Sequence, residues 1–245
     1  MPRFFVEPNQ ISESVAVISG RDADHIKVLR MKPGESLVVC DGAGTDYHCR
    51  LSLIGDGYAE AEIEEAIVSP AEATVQVTVF CAFSKGERPD FIVQKCTELG
   101  AAAIVFFPSE RCVSRPDGKS LDKKIVRWQR IAEEAAKQSG RGLIPTVSAA
   151  PSYRAALEAA MQTDLPLFMY ETGDRVAMRD AIAKAGDIRS CAVVTGPEGG
   201  FETEEADLAV ELGLQCCSMG PRILRCETAP MCGLTAVLYA TGNLD

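Results

Sequence analysis

The sequence predicts an α/β protein in two parts, a small β-barrel over residues 1–72 and a larger domain over 73–245 whose mainly parallel sheet is covered by helices. Three observations carry this prediction. Short alternating segments punctuated by glycine turns fill the amino-terminal part. From residue 75 onward, apolar runs alternate with amphipathic helical patterns. Near the carboxyl end, two glycine-bearing loops each follow a buried-strand run and open into a helical pattern. A chain of 245 residues, 47% hydrophobic and 24% charged, has ample material for a core.

In the first part, residues 36–40, 47–54 and 59–67 read as strands, separated by the turns Asp41-Gly42-Ala43-Gly44 and Gly55-Asp56-Gly57. A short helix is expected over 22–29, stopped by Met31-Lys32-Pro33-Gly34. Ser69-Pro70-Ala71-Glu72-Ala73 reads as the linker. Beyond it, 75–83 is a strand, 89–99 a helix with Pro89 in its first turn and Gly100 after its end, and 101–107 a buried strand. A long helix follows over 121–139, with Ser120 as N-cap and Gly140 past the last turn; Leu121, Ile125, Trp128, Ile131, Ala132 and Ala135 share one face. Residues 165–170 form a further strand and 176–185 a helix, then strands 191–195 and 214–219 precede the two loops. A helix over 230–240 closes the chain and is apolar on every side, which predicts burial on more than one side.

The first residues lack the long apolar stretch of a signal peptide and no run reaches the length of a membrane span, so a cytoplasmic protein is expected. Ten cysteines are scattered, with Cys81, Cys96, Cys191, Cys216 and Cys232 in apolar runs where free thiols pack as small hydrophobes. No C-x-x-C pair occurs and the histidines are His25 and His48, so no metal is expected. A net charge of −10 argues against indiscriminate nucleic-acid binding. Yet residues 111–141 hold nine basic residues against four acidic, including Arg111, Arg115, Lys124 and Arg141. A basic face on an acidic protein points to a polyanion docked at one place. The competing reading is a solvated helix face with pairs such as Glu133 with Lys137.

The first loop, Thr195-Gly196-Pro197-Glu198-Gly199-Gly200-Phe201, lies where ligands bind in open α/β sheets, at the carboxyl end of a strand. Gly199 and Gly200 permit close approach of backbone to a ligand. Glu198, Glu202, Glu204 and Glu205 crowd the same turn, which repels a pyrophosphate and tolerates a ligand with a cationic centre. The glycine spacing is not that of a dinucleotide fingerprint. A plain glycine turn beside acidic residues at a helix N-terminus remains the alternative.

Five motifs, in order, carry a resemblance: Lys85-Gly86-Glu87-Arg88; Gln94-Lys95-Cys96-Thr97-Glu98-Leu99-Gly100; Arg127-Trp128 with Glu134-Ala135-Ala136-Lys137-Gln138-Ser139; Gly196-Pro197-Glu198-Gly199-Gly200; and Gly220-Pro221-Arg222-Ile223-Leu224-Arg225-Cys226-Glu227-Thr228-Ala229. Together they resemble the RsmE family of ribosomal small-subunit RNA methyltransferases. Pro2-Arg3-Phe4-Phe5 and the stretch from His25 through Arg30 to Gly34 resemble its small RNA-binding barrel. The resemblance implies a PUA-like barrel followed by a SPOUT-type parallel sheet with a C-terminal trefoil knot, working as a homodimer. Periodicity alone leads only to an ordinary doubly wound sheet.

The implied activity is methylation of N3 of a uridine in 16S rRNA with S-adenosylmethionine, a cationic cofactor without phosphate. The implied cofactor pocket comprises Tyr170, Glu171 and Thr172, then Thr195, Gly196, Pro197, Glu198, Gly199 and Gly200, then Met219, Gly220, Arg222, Ile223 and Leu224. Arg222 and Arg225 are the catalytic candidates, to stabilise charge developing on the uracil oxygens; the alternative is ion pairing with Glu198 or Glu227. The proton acceptor is open among Glu198, Glu227 and water, the carboxylates serving only where burial raises their basicity. Contact with RNA is implied for Arg3, His25 and Arg30, and the basic stretch adds Arg111, Arg115, Lys124 and Arg141. A structural role for His25 is the competing reading. A non-catalytic RNA-binding or ribosome-assembly protein would share the barrel and basic stretch without binding S-adenosylmethionine, and a dehydrogenase would need a phosphate-friendly turn that Ser84-Lys85-Gly86-Glu87-Arg88 lacks.

Overall fold

A computed structural model describes residues 1–172 and 175–244. The chain divides into two compact units, Met1–Glu72 with Ala136–Ile144, and Ala73–Ala135 with Pro145–Asp245.

The first unit is a five-stranded sheet in the order β1 (Arg3–Phe5), β3 (Ser36–Cys40), β4 (Thr45–Ile54), β5 (Tyr58–Val68), β2 (Val15–Ser19). Only β1 and β3 run parallel. Strands β1 and β2 carry little alternation and were not legible as strands. With helix α1 (Arg21–Val28), the sheet encloses Phe4, Ile18, Ile26, Leu37 and Leu51. Ser69-Pro70-Ala71-Glu72-Ala73 is no loose linker up to Glu72: Ser69 is buried, and the Glu72 carboxylate accepts from the Arg141 guanidinium at 2.7 Å and from the backbone N–H groups of Gly142 and Leu143. This carboxylate draws Ala136–Ile144 into the first unit. Arg3 donates two hydrogen bonds to the buried Asp46, at 2.6 and 2.8 Å.

In the second unit a seven-stranded sheet runs β10 (Val176–Ala177), β12 (Gln215–Ser218), β9 (Leu165–Met169), β11 (Ser190–Thr195), β6 (Gln76–Ala82), β7 (Ala103–Phe107), β8 (Thr146–Ala149). Every pairing is parallel. Parallel strands buried on both faces need continuous apolar runs, and β9 is buried at all five positions. One face is covered by α2 (Arg88–Glu98), α3 (Gly118–Ser139), α5 (Met178–Ala185) and α7 (Thr228–Ala240), the other by α4 (Tyr153–Ala160) and α6 (Thr203–Leu212). The expected face of α3 packs inward, with Trp128, Ala132 and Ala135 buried and Leu121, Ile125 and Ile131 against the same core. Strand β8 and helix α4 escaped sequence reading because each is short.

Helix α7 turns one apolar face to the core and another outward. Leu234 and Leu238 are buried on the sheet, but Cys232 and Tyr239 face outward, Tyr239 being 71% exposed. Its approach is set by Gly233, where a Cβ would lie 2.5 Å from Val193 Cγ1. Gly233→Ala is therefore expected to destabilise the protein by about 1–3 kcal/mol through overpacking. A better helix former at this position recovers no more than about 1 kcal/mol. A lowered denaturant midpoint at unchanged slope checks this.

Candidate active site

Because all strands of the second unit run parallel, their carboxyl ends share one edge, and β12, β9, β11 and β6 are consecutive neighbours there. The segments that follow them meet around one cavity of about 450 Å³. Its lining includes Lys85 and Arg88 after β6, Tyr170 and Glu171 after β9, residues 196–201 after β11, and Met219, Gly220 and residues 222–227 after β12.

The β11 loop is shaped by Phe201, buried and packed at ring distances of 4.5 Å from Phe168 and 6.4 Å from Phe107. That anchor forces a tight return, closed by the Gly200 N–H donating to the Pro197 carbonyl at 3.0 Å. A Cβ on Gly196 would meet the Phe201 ring at 3.1 Å. Gly200 has φ +71°, and a Cβ there would lie 2.8 Å from Glu171 Oε1. Gly199 lines the cavity, and its missing Cβ also makes room for the Arg111 side chain.

The glutamates crowding this turn are largely engaged by protein. Glu198 accepts from the Lys85 N–H at 3.0 Å and from Arg88 at 2.8 Å. Glu202 is held by Arg111 through two hydrogen bonds. Glu205 is buried, accepting from the Ser109 hydroxyl and from the Glu110 and Glu202 N–H groups. Glu204 is exposed on α6. The carboxylate that lines the cavity without an ion pair among the described residues is Glu171. The charge argument made for four glutamates thus rests on one.

Of the other pocket residues expected, Met219, Ile223 and Leu224 supply apolar lining and Thr172 is exposed beside it. Thr195 is buried and its hydroxyl donates to the Phe80 carbonyl at 3.2 Å, a structural engagement. Arg222 and Arg225 are exposed at the cavity, and the expected alternative of pairing with Glu198 or Glu227 does not occur among the described residues. Those carboxylates belong to Arg88. Sequence reasoning passed over Arg88 as a site residue although it closes the Lys85-Gly86-Glu87-Arg88 motif, because its partners lie more than a hundred residues away.

Burial pushes the Glu227 carboxyl up, but its own backbone N–H, the Cys226 thiol, Arg88 and Arg225 outweigh burial and hold it below the usual range. A carboxylate so stabilised is a weak base. The condition set for Glu227 as proton acceptor is therefore not met. Burial, reinforced by Glu227 beside it, pushes the Cys226 thiol up to about 12, which leaves it protonated and unreactive.

The basic stretch is smaller than its sequence suggests. Arg141 is 3% exposed and bound to Glu72, Lys137 pairs with Asp22, and Arg127 pairs with Asp90. Arg111 is committed to Glu202 and the Gly199 carbonyl, and Arg115 leans on Glu110. Lys119, Lys123, Lys124 and Arg130 on α3 make no ion pair among the described residues; Lys124 lies 5.7 Å from the Trp128 ring. In the first unit Arg3 is occupied by Asp46, His25 is exposed at the edge of Phe4, and Arg30 is exposed with φ +55°, a conformation costly for a non-glycine residue.

The cavity fits S-adenosylmethionine on chemical grounds: apolar lining for a nucleoside, one unpaired carboxylate for a cationic amino acid, and a volume within the range of ligand sites. Among the described residues no group of His, Cys, Asp and Glu could hold a metal, and no helix is long and apolar enough to cross a membrane.

A family model described as an RNA methyltransferase domain matches residues 71–238, and one described as an RNA methyltransferase PUA domain matches 18–64. The ribosomal RNA small subunit methyltransferase E of Bacillus subtilis (strain 168) is 33% identical over 249 residues, covering 98% of this chain and 97% of its own. A solved structure of the Neisseria gonorrhoeae ribosomal RNA small subunit methyltransferase E, bound to S-adenosyl methionine, is similar at a TM-score of 0.81 and 34% identity, with 97% of each chain covered. A putative methyltransferase of Legionella pneumophila, solved with bound SAM, matches at a TM-score of 0.84 and 28% identity, again over 97% of each chain.

Proposed function

The chain belongs to the RNA methyltransferase family, and on that premise we propose that it methylates N3 of a uridine in the 16S rRNA of the small ribosomal subunit, in the cytoplasm. Its cofactor is S-adenosylmethionine. The observation that carries this reading is the meeting of four strand-end segments on one cavity, where Glu171 is the lining carboxylate without an ion pair among the described residues.

When bound, this cofactor supplies a methyl group already activated on a sulfonium, so the chain's task is mainly alignment. Glu171 offers the charge complementary to a cationic centre, and the half-buried Met219 and Leu224 give one wall an apolar surface. Arg222 and Arg225, exposed and without an ion pair among the described residues, would stabilise the charge developing on the uracil oxygens. With Glu227 a weak base and Glu198 engaged by Arg88 and Lys85, the N3 proton leaves to water.

The amino-terminal unit and α3 dock the RNA, with His25, Arg30, Lys123 and Lys124 at phosphates. Reversing Lys123 and Lys124 to Glu is expected to weaken RNA binding about tenfold at low salt and to cut the salt slope by about two. A slope equal to the parent's would return α3 to a solvated face.

The chain works as a homodimer through the outward face of α7. That face, with Met178 and Ile182 of α5, lines an apolar groove of about 1370 Å³, and a second copy covers it. The trefoil knot implied by the resemblance belongs to the same reading, supported by the return of α7 from β12 to β11 and β6. The whole proposal is tested by titrating the protein with S-adenosylmethionine in a calorimeter and then mapping labelled methyl groups in small subunits that lack the modification. Incorporation at one uridine N3 is expected. Cofactor binding without transfer, or transfer to another atom, overturns it.

A further inference from the structure

The geometry points to Arg88 as a positioning residue that locks the two halves of the cofactor cavity to each other. Its guanidinium lies at the start of α2 and reaches two carboxylates on different loops. Nη1 donates to Glu198 Oε1 at 2.8 Å, and Nε pairs with Glu227 Oε2 at 3.3 Å. Glu198 belongs to the loop after β11, Glu227 to the segment between β12 and α7. Strand β9 stands between β11 and β12, and among the described residues the two loops share no backbone hydrogen bond. A side chain is what ties them.

The tie is fixed at its base. Arg88 Nη1 also donates to the Lys85 carbonyl at 3.3 Å, and the Lys85 N–H donates to the same Glu198 oxygen at 3.0 Å. The Cys226 thiol completes the far side, donating to Glu227 Oε2 at 3.2 Å. All three charged side chains are largely but not wholly shielded, between 20% and 29% exposed. One cation serving two anions has a further consequence. It offsets one of their two negative charges and engages both carboxylates, so that Glu171 is the carboxylate of the cavity wall left without an ion pair among the described residues. Lysine cannot replace it in full, because an ammonium is a point donor whereas the planar guanidinium presents separate N–H groups to separate acceptors.

This inference deepens the methyltransferase reading and rests on it for the ligand, while the lock itself can be read in the cofactor-free protein. Hydrogen exchange on the free protein is expected to accelerate about tenfold or more in both 196–200 and 222–227 when Arg88 is changed to Gln, and to remain unchanged in β8. Glu198→Gln, which keeps an acceptor for the Lys85 N–H and drops the charge, accelerates the first loop more than the second. By calorimetry, Arg88→Gln weakens S-adenosylmethionine binding about tenfold, and Arg88→Lys recovers part of this. In turnover the loss falls on KM for the cofactor more than on kcat, as expected of a group that never touches the reacting atoms. Parent-like exchange in both loops of Arg88→Gln overturns the lock, as does a loss confined to kcat. A parent protein that binds no S-adenosylmethionine overturns the methyltransferase reading instead, and the exchange result still judges the lock.

Discussion

Cys232→Glu with Tyr239→Glu is expected to give a folded monomer with at least about a hundredfold less methyl transfer, the scale on which a misplaced reacting geometry acts. Both side chains are exposed on the outer face of α7, seven residues apart and therefore nearly in line along the helix. Neither substitution touches the core, so folding is spared. Paired carboxylates on the proposed contact face of each copy would meet their counterparts in an apolar setting, where unpaired charge is costly. Loss of activity follows because α7 begins at Thr228, directly after the segment carrying Arg222, Arg225 and Glu227. Light scattering and a methylation assay check this pair of outcomes; a folded, fully active monomer would sink both the interface and its coupling to catalysis. Leu234→Glu and Leu238→Glu are no test of the same face. Those side chains are 0% and 1% exposed against the sheet, and a carboxylate there costs several kcal/mol, a large part of the total stability of a domain.

The second large effect is expected at Gly200. Valine there must adopt φ near +71°, strained for any L residue and worse for a β-branched one, and its Cβ would stand 2.8 Å from Glu171 Oε1. Strain of about 2 kcal/mol, with Glu171 pushed from the wall, should weaken S-adenosylmethionine binding about thirtyfold or more. The free loop, at the edge of the sheet, relaxes out of this conformation and must regain it to bind, so the strain falls on binding and global stability should change little. Gly199→Val makes the informative comparison. Its new Cβ meets the Arg111 side chain at 3.1 Å rather than the cavity, so it disturbs the hold of Arg111 on Glu202 and weakens the cofactor less. Equal affinities in the parent and in Gly200→Val would remove this loop from the site.

Much was legible in the chain before folding. Apolar runs announced the buried parallel strands because a strand covered on both faces has no polar side to show. Amphipathic spacing picked out the inward face of α3, Trp128 and Ala132 included, because helix periodicity maps directly onto burial. Glycine at 200 marked a backbone that needs positive φ. The ordered motifs named the family, which the domain matches and the full-length relative support.

What lay outside the sequence's reach depended on pairings across long separations. Net charge over 111–141 looked like a free basic face, yet Arg141 is spent on Glu72, Lys137 on Asp22 and Arg111 on Glu202, leaving four unpaired cations of α3 among the described residues. A count of charges cannot see which are already neutralised. The glutamates around Gly199 were misjudged for the same reason, as Arg88, Arg111 and a ring of N–H donors claim three of them. The compact units do divide after Glu72, but Ala136–Ile144 also folds with the first unit through that carboxylate, and a truncation there would strip a buried arginine of its partner. Patterns of period two and 3.6 report the surroundings of neighbours in sequence; which distant ion meets which is settled by the packing of the sheet and its loops.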